Sequence, residues 1–329
     1  MSITHKRLGK HGVLVSNLCL GTMNFGWHTS EDDSRAIMDR ALELGVNFFD
    51  TADVYGWVVE HGLTEEIIGR WFAQGGGRRE AVVLATKVFN PVNRKTNLRE
   101  VNSDGSSLSA YKIRKHCEGS LKRLQTDHID LYQLHRPDPT VPYEESVGAL
   151  GELRDEGKIR LIGISNVSLD QLRAAQSVAS IASVQNRYNL HERTSEDVLR
   201  ACEADNVAFL PYYPIKGWSG SSRGIKALRE VGAAHDATAA AASLAWLLAR
   251  SPVMLPIPGT SSLAHLEENV SAAFLELTEA EVERLDAYNP AISSKLDQLR
   301  GPLSPAGRAK VREAAGPLRK FFQRLRFWD

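Results

Sequence analysis

Eight short apolar runs rich in β-formers, each closing on a polar or turn residue and separated by amphipathic stretches, restrict this chain to a parallel sheet of βα units. The runs are Leu18–Leu20, Val46–Phe49, Val82–Thr86, Ile129–Leu134, Leu161–Ile164, Ser183–Val184, Ala208–Leu210 and Met254–Ile257. Apolar spacing at three and four predicts helices over Asp33–Leu44, Glu65–Phe72, Ala110–Leu124, Tyr143–Glu156, Leu169–Ala179, Ser195–Ala204, Ala239–Ala249 and Leu263–Phe274. Ser168 and Thr194 are placed as N-caps, and Gly45 and Gly157 stand just past C-terminal ends. An open doubly wound sheet needs a glycine-rich phosphate turn after its first strand, and no G-x-G-x-x-G occurs. The expected fold is therefore α/β, a (β/α)8 TIM barrel. Arg7–Val15, with Gly9 and Gly12, reads as an N-terminal β-hairpin closing the barrel floor.

A length of 329 residues accommodates one large barrel, and 43% hydrophobic with 24% charged residues excludes disorder, collagen and coiled coil. Forty Lys plus Arg balance forty Asp plus Glu, so no overall field favours nucleic acid or an anionic membrane. That balance hides an asymmetry: residues 291–329 hold nine basic against three acidic side chains. The expected division is a barrel domain over 1–290 and a basic helical extension over 291–329, packed on the acidic barrel. Asn90–Ser109 and Gly217–Gly224 interrupt the βα rhythm as long polar loops. Cys19, Cys117 and Cys202 form neither a disulfide framework nor a zinc spacing, and no signal-peptide or membrane-span pattern occurs. A cytoplasmic protein without a metal site is expected, and no feature assigns an oligomeric state.

In a barrel the strand C-termini share one mouth, where function gathers. Those ends hold Asp50, Lys87 and His135, with Tyr55 one turn beyond Asp50. Singly each has a bland role: Asp50 as a helix cap, Lys87 as a structural ion pair, His135 as a satisfied polar residue. Together they form a proton-transfer set. An ammonium at Lys87 lowers the pKa of a neighbouring phenol from about 10, bringing Tyr55 into range as an acid, while His135 helps polarise a carbonyl oxygen.

Asp50-Thr51-Ala52-Asp53-Val54-Tyr55-Gly56, Ala85-Thr86-Lys87 and Asp130-Leu131-Tyr132-Gln133-Leu134-His135 together resemble the aldo-keto reductase superfamily. Leu20-Gly21-Thr22-Met23, Gly157 to Asn166, Val184 to Asn189, and Ile257-Pro258-Gly259-Thr260 followed by Glu268-Asn269 agree in order. The resemblance spans roughly residues 5–290. It implies NADP(H)-dependent reduction of an aldehyde or ketone, a small-molecule carbonyl, to an alcohol. Tyr55 is then the general acid, with Asp50, Lys87 and His135 completing a tetrad. Ser165, Asn166 and Gln185 hold the carboxamide, and Tyr212 stacks on the nicotinamide. Gly21, Thr22, Met23, Asp50, Pro214, Ile215, Gly217, Pro258, Gly259, Thr260, Ser261, His265, Glu268 and Asn269 complete the cofactor set.

The cofactor's phosphate end departs from many relatives, in which a Lys follows the last strand and an Arg precedes the Glu-Asn pair by three residues; Gly259 and His265 stand there instead. Losing fixed cations weakens phosphate recognition, so NADP(H) with relaxed discrimination is expected and NAD(H) is the alternative. Trp27, Trp57, Phe89 and Trp218 are the expected substrate walls. Gly62 to Glu66 and Gly69 to Glu80 resemble a branch that reduces nucleotide-linked keto-deoxysugars, an alternative substrate class. The competing function is a cofactor-binding regulatory subunit of the same fold, without catalysis.

Overall fold

The computed structural model describes residues 3–56, 59–89, 108–215 and 222–288. In chain order the elements are β1 (His5–Arg7), β2 (Leu14–Ser16), β3 (Leu20–Gly21), α1 (Glu31–Glu43), β4 (Phe48–Asp50), α2 (Leu63–Phe72), α3 (Arg78–Ala81), β5 (Val83–Val88), α4 (Ala110–Leu124) and β6 (Ile129–Leu134). There follow α5 (Tyr143–Asp155), β7 (Ile159–Ser165), α6 (Leu169–Val178), β8 (Ile181–Gln185), α7 (Glu196–Asp205), β9 (Ala208–Phe209), α8 (Ser222–Ala234), α9 (Ala239–Arg250), α10 (Leu263–Ser271) and α11 (Glu279–Asp286).

Strands β3 to β9 pair in parallel and in sequence order, one curled sheet with helices outside it. The run Met254–Ile257 closes the ring without becoming a ladder strand. Single bridges join Phe209 to Met254 and Gly21 to Gly259. Leu255 N donates to Phe209 O at 2.8 Å, while Cys19 N and Gly21 N donate to the carbonyls of Pro256 and Pro258 at 2.9 and 3.0 Å. Proline has no N–H to give, so this segment accepts on one side and cannot sustain a regular ladder. The product is a (β/α)8 barrel.

Antiparallel β1 and β2 form the expected hairpin. Leu8 and Val15 enter one apolar cluster with Phe48, Ala85, Leu131, Ala208 and Leu255, which plugs the barrel floor. Strand periodicity then sorts chemistry by height. Phe48 gives way to Asp50 on β4, Ala85 to Lys87 on β5, and Leu131 to Gln133 on β6. The apolar lower layer drives closure; the polar upper layer faces the mouth.

Helix α4 has the expected bounds because Ile113, Cys117, Ser120 and Leu124 recur at three- and four-residue spacing and are buried. Helix α6 starts on a capping box of Ser168 and Gln171. The cap of α7 falls on Ser195, not Thr194, and its side chain makes no capping bond. Three helices lie outside the sequence reading: α3, α8 and α11. For α11 a signal existed in Thr278 and Glu281, which form a second capping box. The expected extension over 291–329 lies outside the described residues. Met1–Ala287 form one compact unit. Among the described residues no helix is long and apolar enough to cross a membrane.

The contact between α2 and α4 tests the packing. A Cβ on Gly69 would lie 2.1 Å from the Arg123 carbonyl oxygen and 2.9 Å from the Leu124 carbonyl carbon. Backbone cannot yield as a side chain does, so Gly69→Ala is expected to destabilise the barrel by about 1–3 kcal/mol. A thermal melt should register a fall in Tm of roughly 5 °C.

Candidate active site

The upper layer is assembled by register. Lys87 pairs with Gln133, Gln133 with Gly163, and Gly163 with Ser183, while Asp50 is opposite Ala85 and Gly21. Asp50, Lys87, Gln133 and His135 are all buried. Lys87 Nζ donates to Asp50 Oδ2 at 2.6 Å, to Thr51 O at 2.9 Å and to Tyr55 Oη at 3.2 Å. The other carboxylate oxygen of Asp50 accepts from Gln185 Nε2 at 2.9 Å and Gln133 Nε2 at 3.2 Å. A buried charge is stable when such partners replace water. The four expected tetrad residues are thus together: the Tyr55 and His135 rings meet edge to face at 6.1 Å.

The electrostatics correct one expectation. Burial raises the Tyr55 pKa and outweighs the opposing pull of Lys87, so the phenol lies above its ordinary value. Burial also works against the Lys87 charge, but there Asp50 and Tyr55 prevail and the ammonium is stabilised. His135 moves well below its ordinary value, first through burial and then through the charges of Lys87 and Arg136. At neutral pH the site holds a charged lysine, a protonated phenol and a neutral imidazole.

One wall carries amides and hydroxyls. Ser165 Oγ donates to Gln185 O at 2.6 Å, and Asn166 Nδ2 donates to His135 O at 2.8 Å and to Ser165 Oγ at 3.0 Å. Asn166 adopts a left-handed backbone at φ 58°, and Tyr212 Oη donates to its Oδ1 at 2.7 Å. On the other side Thr22 donates through N and Oγ1 to Asp50 O. Met23 O accepts from Trp27 Nε1 at 2.9 Å. Phe89 meets the His135 ring at 5.0 Å. Pro214 O accepts from Ser243 Oγ, and Ile215 follows at the end of that described segment. Trp57, Gly217 and Trp218 lie outside the described residues.

Near Gly259, Thr260 Oγ1 donates to Ser262 O and accepts from Ser262 N, while Ser262 Oγ caps α10 through His265 N. Ser261 and His265 are exposed, Glu268 accepts from Thr238 Oγ1, and Asn269 is buried. Part of the expected donor set is therefore already committed to the helix cap. The sequence reading did not single out Gln133 as a site residue, although its place two residues before His135 puts it on the same inward strand face. It also passed over Asp53, which is buried, accepts from Phe89 N at 3.1 Å and meets His116 Nδ1 at 2.7 Å. Among the described residues no group of three His, Cys, Asp or Glu side chains could hold a metal ion.

A parallel barrel with titratable groups converging at its C-terminal mouth has the layout of a (β/α)8 enzyme. Residues 17–290 match the aldo/keto reductase family, and the chain belongs to it. It is 39% identical over 312 residues to the uncharacterized oxidoreductase YrpG of Bacillus subtilis, covering 86% of this chain and 95% of that protein. It is 32% identical to the aldo-keto reductase yakc [NADP(+)] of Schizosaccharomyces pombe, covering 87% of this chain and 91% of that one. Among solved structures it resembles a thermostable aldo-keto reductase, Tm1743, crystallised with the inhibitor epalrestat. That match has a TM-score of 0.77 and 31% identity, covering 87% of this chain and all of that one. The chain is thus a family oxidoreductase by descent.

The neutral His135 has a measurable consequence. In the unfolded chain it takes up a proton near its ordinary value of 6.5, which the folded site resists. Its contribution to stability is therefore complete above that pH and declines as pH falls below it. Its imidazole resonance should show no protonation shift between about pH 8 and about pH 6; a midpoint near the ordinary value would contradict the burial argument.

Proposed function

We propose that this chain reduces an aldehyde or ketone to the alcohol with NADP(H), Tyr55 being the general acid and Lys87, Asp50 and His135 its supports. The observation that carries the reading is the hydrogen-bond count at Lys87. An ammonium has three donors, and Asp50 Oδ2, Thr51 O and Tyr55 Oη accept one each. Because Lys87 donates to the phenol oxygen, the phenol's own proton is directed elsewhere, toward the mouth and a carbonyl bound there. As Tyr55 releases that proton, the same ammonium stabilises the phenolate. A neutral His135 is a far weaker acid than a phenol, which supports Tyr55 as the acid.

The residues of the mouth fit a nicotinamide dinucleotide in donor chemistry. Ser165, Asn166 and Gln185 present hydroxyl and amide groups suited to a carboxamide, beside the half-buried Tyr212 ring. Among the described residues, a Cβ on Gly259 would meet only Asn24 Nδ2 and Gly21 O, each at 3.7 Å, so the backbone at that edge leaves room for a close neighbour. When bound, the nicotinamide supplies the hydride. The name of the yeast relative, which carries NADP(+), supports the phosphorylated form. Ser261 and the exposed His265, with the first N–H groups of α10, are the groups proposed to meet its 2′-phosphate.

Two experiments test the reading. Tyr55→Phe should lower kcat for NADPH oxidation across a panel of aldehydes, ketones and a keto-sugar nucleotide by about 10²–10⁴-fold while still binding NADPH. An undiminished variant would dismiss Tyr55 as the acid, and a wild type that binds NADPH but turns over no carbonyl would favour a regulatory subunit. Comparing dissociation constants addresses the cofactor: NADPH should bind more tightly than NADH by a modest margin, and an NADH preference of about tenfold or more would reject NADP(H).

A further inference from the structure

The layer beneath the mouth contains an amide that the reaction as proposed does not use. Gln133 is fully buried on β6, between Lys87 and Gly163 in register. Its Nε2 donates to Asp50 Oδ1 at 3.2 Å; a carboxylate only accepts, so the amide's orientation is set by its partner. The same oxygen is shared with Gln185 Nε2 at 2.9 Å. Gln185 is also one of the residues proposed to hold the cofactor's carboxamide. If its amide turns to that task, Gln133 is the remaining side-chain donor described on Asp50 Oδ1.

We propose that Gln133 is a positioning residue for the reductase: it holds Asp50 against Lys87 from below, independently of Gln185, in a slot that Gly163 keeps open. The slot is visible in the packing. A Cβ on Gly163 would come within 2.6 Å of Gln133 Cγ and 2.5 Å of Ser183 Oγ, so a larger residue at 163 displaces one of them. Gln133 Oε1 and Ser183 Oγ are buried and have no hydrogen-bond partner among the described residues. No other bond to Oε1 therefore fixes the amide; the Asp50 contact and the bare Cα of Gly163 do. A buried polar side chain retained on these terms has its return in the carboxylate it orients.

This inference rests on the reading of Tyr55 as acid, and its test separates the two. Gln133→Leu keeps the volume approximately and removes the donor. The Asp50 charge is then less dissipated, the Lys87 ammonium is more fully neutralised, and Tyr55 holds its proton more tightly. Turnover should fall about tenfold, with the alkaline limb of the kcat profile displaced to higher pH. NADPH affinity, read by fluorescence quenching, should stay within about threefold, so the loss is in kcat. Gly163→Ala should reproduce the loss, and the double variant should be no worse than the more impaired single variant.

If Gln133→Leu does not fold, Gln133→Glu carries the test. Near-isosteric, it should lose activity at a lower pH than the wild type, as the introduced carboxyl ionises beside Asp50. A folded Gln133→Leu with wild-type kcat and an unmoved limb overturns the proposal; so do losses that multiply in the double variant, or a Gln133→Glu profile superimposable on the wild type. In each of those cases an inactive Tyr55→Phe leaves the reductase reading standing.

Discussion

The Lys87–Asp50 ion pair, 2.6 Å long and out of water, is the interaction on which the rest of the upper barrel depends. Taking two charges from solvent costs several kcal/mol per ion unless hydrogen bonds replace the lost hydration. Here the replacements come from separate segments: Thr51 after β4, Tyr55 one turn later, Gln133 on β6 and Gln185 at the end of β8. Each donor or acceptor must arrive at the same height. The need to satisfy this pair therefore constrains the register of four strands, and the register fixes where Tyr55 and His135 stand.

Buried carboxylates outside the barrel hold those strands from behind. Glu65 on α2 accepts from Thr86 Oγ1 at 2.6 Å and from Arg123 on α4, so Thr86, the residue before Lys87 on β5, is secured on the strand face opposite Lys87. Asp53 accepts from Phe89 N at the top of the strand, and Asp130 accepts from Leu84 N, Arg79 and Arg160 near its foot. Such contacts cost desolvation, and burial raises the Glu65 pKa accordingly. Their return is geometric: β5 cannot slide without breaking bonds at three heights.

Much of this was legible along the chain, and the reasons for the remainder are specific. Strand β6 and helix α4 have the expected bounds because each has an uninterrupted period and clear boundary residues. The strand ends mark Asp50, Lys87 and His135 from the sequence alone, since the barrel rule turns a sequence position into a place at the mouth. The run Met254–Ile257 reads as a barrel segment from its sequence, but its prolines alter the hydrogen bonding from ladder to isolated bridges. The cap of α7 falls one residue later than expected, on Ser195, whose side chain makes no capping bond, so the side-chain chemistry that favours Thr194 does not set that helix start. Strand alternation places Gln133 on the inward face with His135, but an amide does not titrate, and only the closed sheet shows that it meets Asp50.

The sequence by itself determined the fold class and the height of the chemistry, because the alternation of apolar and polar residues on each strand is a local property read along one chain. It also determined the family likeness and the order in which the titratable groups appear. The tertiary structure decided their protonation. A phenol beside an ammonium was expected to be acidified, yet the closed barrel removes water from Tyr55 by more than Lys87 can offset. It decided as well which amide meets which carboxylate oxygen, since Gln133 and Gln185 lie 83 and 135 residues from Asp50 and come within reach only when the sheet closes. Desolvation and long-range hydrogen bonding are sums over neighbours from distant parts of the chain, and the closed sheet sets that company.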